Sequence, residues 1–332
     1  MNRVHFLILP FIFFVCQQSS EESAREDQNE SISQIEEEVP SFYWSVDWHP
    51  ENDQIALGGS MDTLRVLSAD GEREVSKYPY AGTITQVKWH PAGDKLAISV
   101  QDGKSEPCIL KPSTGRRIEL DQISAEGARA LGWNHTGELL AVGDYEGILS
   151  IFDADGSLLR QVDTDQKGLI DLDWHPNSDL IVAVGEHISR YDYRTDELQN
   201  IEDRTEDILM LCVDWHPGGQ FFATGDYGDF THNYSPLLQY WTSAGSHIKS
   251  MNDSKAEIRN LAWSEDGELL ASTSEKIRLW NEAGEIVAQD NHSHLLQGVA
   301  WNGDTTQLIV TDDHCKIIFW DRELNRLGET LD

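Results

Sequence analysis

The sequence predicts an all-β chain, a seven-bladed β-propeller built from four-stranded antiparallel blades. Three observations carry this. An aliphatic-x-Trp motif recurs seven times, at Trp spacings of 41, 44, 41, 41, 48 and 38 residues. Each copy is followed by a turn and an apolar run of four to six residues, too short for a helix and right for a strand. The 292 residues from Ser41 to Asp332 divide into about 42 per repeat, the length of a four-stranded blade. One blade cannot bury its own faces, so the seven must close into a single ring. That outweighs the two domains which 332 residues would otherwise suggest.

The elements follow in order within each repeat. The innermost strands end in Val46-Asp47-Trp48, Val87-Lys88-Trp89, Leu131-Gly132-Trp133, Leu172-Asp173-Trp174, Val213-Asp214-Trp215, Leu261-Ala262-Trp263 and Val299-Ala300-Trp301. The turn after the Trp reads Trp-His-Pro in four copies, beginning at Trp48, Trp89, Trp174 and Trp215. Elsewhere Asn, Asp and Gly supply the turn geometry. Second strands are expected at Gln54–Gly59, Lys95–Val100, Glu138–Val142, Leu180–Val184, Gln220–Thr224, Glu268–Ser272 and Gln307–Thr311. Third strands close on Leu67, Leu110, Phe152, Tyr191, Trp241, Trp280 and Trp320, and a more polar fourth strand follows. The last outer strand is expected near Arg326–Leu331. The chain ends then meet by packing alone, unless Ile32–Val39 adds an edge strand.

These repeats resemble the WD-repeat family. Trp320-Asp321 matches its signature dipeptide, Phe152-Asp153 and Tyr191-Asp192 are aromatic versions of it, and Ser264-Glu265-Asp266-Gly267 is close to its first turn. The resemblance covers residues 41–332. The Gly-His pair that usually precedes the first strand is replaced by pairs such as Ala81-Gly82 and Ala256-Glu257. The resemblance implies a rigid scaffold that binds another protein and carries out no catalysis.

Residues 1–15 read as a signal peptide: Arg3 and no acid, then the apolar run Phe6–Val15, too short to span a bilayer. The run ends at Cys16, which resembles the lipidated cysteine of bacterial lipoproteins. Phe13 and Val15 stand where that signal usually has Leu and a small residue. An ordinary cleaved signal and an intracellular protein remain alternatives. Residues 16–40 form an acidic tether, with eight acids and one base between Gln17 and Pro40. The expected localisation is the cell envelope, with membrane contact only through the lipid on Cys16.

The formal net charge is −33, which excludes binding of bare nucleic acid by phosphate neutralisation. No nucleophile turn, zinc-protease motif or phosphate loop occurs. No catalytic residue, cofactor or metal is assigned. A propeller enzyme (lactonase, glycan-cleaving or quinone-dependent, with calcium at the channel mouth) is the rival reading. Separately, Asp47, Asp171, Asp173 and Asp214 lie on innermost strands, where several could face the channel and hold a calcium ion, or be solvated by channel water or bonded to neighbouring blades. The repeated Trp residues are assigned to packing and the His of Trp-His-Pro to turn stabilisation, because equivalent positions around a ring cannot converge on one ion. Cys108, Cys212 and Cys315 fall in three blades and are expected as free thiols. Blade five carries extra length between its second and third strands. There Asp226, Tyr227, Asp229, Phe230, His232 and Tyr234 are the candidate partner-binding residues, aromatic anchors beside polar groups. The expected partner is a protein, and the propeller itself a monomer.

Overall fold

The computed structural model describes residues 41–332 apart from 52, 103–104, 202–207, 292–293 and 331–332. The expected signal, Cys16, the tether and Ile32–Val39 lie outside the described residues. Twenty-eight strands form seven four-stranded antiparallel sheets, each in sequence order from inner to outer strand. The described residues contain no helix. The first strands are Tyr43–Trp48, Thr83–Trp89, Ala128–Trp133, Asp171–Trp174, Met210–Trp215, Asn260–Trp263 and Leu296–Trp301, so every repeated Trp ends an innermost strand. Second strands match the apolar runs to within two residues at either end, and Gln54–Gly59 and Leu180–Val184 coincide with them.

Burial follows from this order. Second strands sit between two neighbours in the sheet and between two blades, and they are almost wholly buried, as in Leu139–Asp144 and Leu180–Val184. Outer strands alternate or are largely exposed, as in Leu158–Asp163 and Glu197–Ile201. In five of them the ladder skips one aliphatic residue, leaving Val75, Leu159, Ile248, Val287 and Leu327 exposed at a bulge. Such bulges blunt an edge strand against pairing with another chain.

Among the described residues the ring closes by packing, with no strand exchanged between the chain ends. Blade seven is Leu296–Trp301, Gln307–Asp312, Ile317–Asp321 and Arg326–Thr330, all from the C-terminal end. The closing seam repeats the bonds of the internal seam between blades six and seven. The Trp48 indole donates to the Ala300 carbonyl at 3.2 Å, as Trp301 does to Ala262 at 3.0 Å. Thr311 Oγ1 donates to the Tyr43 carbonyl at 3.0 Å, as Thr273 Oγ1 does to Gln297 at 2.7 Å. One apolar cluster joins Tyr43, Val46 and Trp48 of blade one to Ala300, Ile309 and Phe319 of blade seven.

The Trp-His-Pro histidines do more than hold their own turns. In each, Nδ1 accepts the amide two residues on, as from Glu51 to His49 at 3.2 Å and from Ala92 to His90 at 3.0 Å. Nε2–H then donates to a glycine carbonyl in the next blade: His49 to Gly93, His90 to Gly137, His175 to Gly219 and His216 to Gly267, at 3.0–3.1 Å. The ring also stands edge-on to that blade's Trp, with centroids 4.7–4.8 Å apart. A carbonyl only accepts, so Nε2 carries a proton in each of these rings. Each glycine lies four residues after its Trp and has φ between +72° and +76°. Where the preceding blade has Asn134, Ser264 or Asn302 instead of His, that position is Ser178, Thr305 or Asn52. His and Gly therefore occur as a pair split across two blades.

Candidate functional site

Antiparallel order places the loops between second and third strands on the same face as the connections between blades. This connection face carries the candidate site. In blade five the loop is Tyr227–Leu237, eleven residues against two to six in the other blades. Gly225 and Asp226, expected in the loop, instead end the second strand, Phe221–Asp226. The ladder continues to Asp226 because it pairs with Met210.

Asp226 is buried and holds the loop from below. Its Oδ1 accepts the amides of Gly228 at 3.0 Å and Leu237 at 2.9 Å, clasping both ends. Its carbonyl accepts the Ile258 amide at 3.0 Å, and the Tyr227 amide donates to Leu209 at 3.0 Å. The loop base is thus tied to the connections on both sides of blade five. Gly228 has φ of +67°, and a Cβ there would meet Pro236 at 2.8 Å, so the two limbs touch at this glycine.

Above the base, Asp229 and Tyr234 exchange backbone hydrogen bonds, both at 2.8 Å, and close a small hairpin with Phe230-Thr231-His232-Asn233 at its tip. Asn233 takes the left-handed φ of +62° that this turn needs, a conformation Asn tolerates. Asp229 accepts the Thr231 and His232 amides at 2.9 and 3.1 Å, and its Oδ2 lies 2.6 Å from His232 Nδ1. The His232 hydrogen bond holds the Asp229 carboxyl below its usual range. Phe230 and Tyr234 remain 53% and 41% exposed on this braced hairpin. The six residues therefore divide: Asp226 and Tyr227 belong to the base, while Phe230, His232 and Tyr234 are presented and Asp229 joins the two.

The inner strands hold the second set of candidates. Asp47, Asp173 and Asp214 each accept the amide of the next blade's Trp, at 2.6 Å from Trp89, 2.8 Å from Trp215 and 2.6 Å from Trp263. Asp171 accepts Val213 N–H at 2.9 Å and Gln86 Nε2–H at 2.6 Å. Asp171 and Asp173 both serve the seam between blades four and five, Asp47 and Asp214 serve one seam each, and none of the four is among the groups of three or more donors gathered within metal-ligand reach in the described residues. At the three seams bridged by Asp47, Asp173 and Asp214, the indoles of Trp89, Trp215 and Trp263 have no protein hydrogen-bond partner. At the other four, where Lys88, Gly132, Ala262 or Ala300 precedes the Trp, the next indole donates to that residue's carbonyl. The residue before the Trp thus selects which bond closes the seam.

Burial raises the carboxyls of Asp47 and Asp171, and pushes Asp173 up to about 6 and Asp214 well above the usual range. Lys88 stands among them. Burial pulls its ammonium down, but the fields of Asp47, Asp214, Asp171 and Asp173 together override it and hold the charge. Lys88 offsets the charge of these four carboxylates, which makes charge compensation the first function of this group.

Sequence reasoning missed a third grouping on the connection face: His294, Asp313 and His314, whose possible ligand atoms all lie within 4.8 Å of one another. The Asp313-His314 pair was in plain view, but its neighbour His294 stands in another segment. The propeller register alone joins them. Cys108, Cys212 and Cys315 are free thiols, as expected from three separate blades.

The family described as "WD domain, G-beta repeat" matches residues 198–231 and 245–281. The matched segments run from the outer strand of blade four into the blade-five hairpin, then resume at the last turn of blade five and continue through Trp280. The interruption spans the second half of the hairpin and the third strand. The APC/C activator protein CDH1 of Saccharomyces cerevisiae is 24% identical over 287 residues, which cover 78% of this chain and 48% of that protein. The chain spans about half the length of this curated relative. The chain is a seven-bladed propeller whose repeats are similar to the WD repeat.

Proposed function

We propose that this protein is a non-enzymatic scaffold that binds a protein partner through its connection face, with the blade-five hairpin as anchor. The observation that carries the reading is the pairing of a tied base with an exposed tip. Asp226 and the backbone bonds of Tyr227 and Ile258 fix the loop, so Phe230 and Tyr234 lose little freedom on binding. Their exposed parts amount to about 100 Å² each, roughly 2 kcal/mol apiece when covered by a partner. The likeness to a protein named as an APC/C activator supports the same class of role.

The test is a Phe230→Ala/Tyr234→Ala variant, measured for Tm and for partner capture. Both side chains are exposed, so stability is expected to stay within about 0.5 kcal/mol of wild type and Tm to be essentially unchanged. Binding is expected to fall by roughly thirtyfold or more. Full partner recovery by the folded variant would refute the reading.

The same proposal places the propeller outside the cytoplasm, held to a bacterial membrane by a lipid on Cys16. The support is the Arg3 start, the short apolar run Phe6–Val15 and the cysteine at its end. Detergent partitioning should place the wild type in the detergent phase, and Cys16→Ser should abolish that. Mass spectrometry showing an intact Met1 terminus on the mature protein would refute export.

A further inference from the structure

We propose that His294, Asp313 and His314 form a binding site for a divalent late transition ion, Zn²⁺ being the best fit. His294 lies in the connection between blades six and seven. Asp313 and His314 lie in the loop between the second and third strands of blade seven. The Asp313 amide donates to the Leu295 carbonyl at 3.1 Å, which ties the two segments together. Asp312, buried at the end of the second strand, accepts the amides of His314 and Lys316, both at 2.9 Å, and so fixes the turn that carries the ligands.

The donors gather around the Asp313 carboxylate. His314 Nδ1 lies 2.8 Å and His294 Nδ1 3.6 Å from Asp313 Oδ1. Ligand atoms at zinc distances of about 2.0–2.2 Å, arranged tetrahedrally, stand roughly 3.3 Å apart, between those two values. The third separation, between the two histidine donors, lies within 4.8 Å. The two imidazoles crowd over the carboxylate with centroids 3.7 Å apart, and the Asp313 side chain is only 10% exposed. Two imidazole nitrogens and one carboxylate suit zinc or a neighbouring late metal. Calcium and magnesium prefer six or more oxygens, or retained waters. Three protein ligands leave a position open to water, the pattern of accessible rather than closed sites. The net charge of −33 raises the local concentration of any cation near this face.

The experiment uses the full chain after stripping with EDTA. Titration calorimetry with ZnCl₂ is expected to show one site tighter than the general surface binding, and MgCl₂ should not compete for it. His294→Ala and His314→Ala should each weaken that site by at least tenfold. Glu51→Gln, at the exposed His49/Glu51/Asp53 cluster, should leave it unchanged. Cobalt(II) should give visible d–d bands that are lost in His314→Ala. His314 is exposed, so this variant keeps its fold, which far-ultraviolet circular dichroism verifies. Equal zinc affinity in wild type and the His294→Ala/His314→Ala double variant, or cobalt bands unchanged by His314→Ala, would overturn the assignment.

Discussion

Substituting Gly137 by Ala tests the His–Gly seam most sharply. Gly137 has φ of +73°, where a Cβ costs about 1–2 kcal/mol. The added Cβ would also lie 2.3 Å from His90 Nε2 and 2.7 Å from its Cε1, far inside contact distance. The ring must leave. It then loses the 3.0 Å hydrogen bond to the Gly137 carbonyl and the edge-on contact with Trp133, together roughly 2 kcal/mol. The total is about 3–4 kcal/mol, or roughly 5–10 °C in Tm for a domain of this size. Removing the ring first changes the outcome. His90→Ala alone should cost about 2 kcal/mol, but in a His90→Ala/Gly137→Ala variant only the backbone strain is added. The double variant should therefore fall short of the summed single costs by about 2 kcal/mol. Guanidinium denaturation followed by tryptophan fluorescence measures all three. Additivity within about 0.5 kcal/mol would refute the seam argument.

The channel carboxylates predict a pH effect of definite sign. Asp173 sits at about 6 in the folded protein against an ordinary 3.8, so its contribution to stability is present below about pH 4 and lost as pH rises through 6. Asp173→Asn should therefore stabilise at pH 8 and give no gain at pH 4. The rise from 3.8 to about 6 corresponds to about 3 kcal/mol, so a gain of that order is expected at pH 8. Stability curves that run parallel between pH 4 and 8 would count against the channel account. The thiols should divide by burial: burial pushes Cys108 up to about 11 and raises Cys212 well above its usual value, whereas Cys315 is only half-buried. A native thiol titration at pH 8 should modify Cys315 first, and prompt labelling of Cys212 would show the inner seam to be open.

The repeat was legible because a propeller presents the same environment seven times. Each blade needs a large side chain where the inner strand meets the previous blade, so the sequence carries Trp there seven times over. The outer strands were equally plain, being polar and exposed. The inner position of the first described strand was readable too, since Phe42–Trp48 already looked like an inner strand. What could not be read from one blade was anything made across two. The His49–Gly93 bond joins residues 44 positions apart, and its trace is the absence of Gly from Ser178 and Thr305, where the preceding blade has no such His. The same holds for Asp47, Asp173 and Asp214, whose partners are amides of the next blade. In the blade-five loop, the aromatics were visible as a departure from the repeat. The split between a buried Asp226 and an exposed Phe230 depends on where the strand ends, and composition does not mark that point.

Site-specific photocrosslinking tests the central claim most directly. A benzoylphenylalanine placed at Phe230, on the hairpin tip, is compared with one at Leu159, which is equally exposed on the outer strand of blade three. Irradiation of cells producing the two variants should give a discrete protein adduct from position 230 and none from position 159. The same adduct from position 159, or none from position 230 when the partner co-purifies, would contradict binding through the blade-five hairpin.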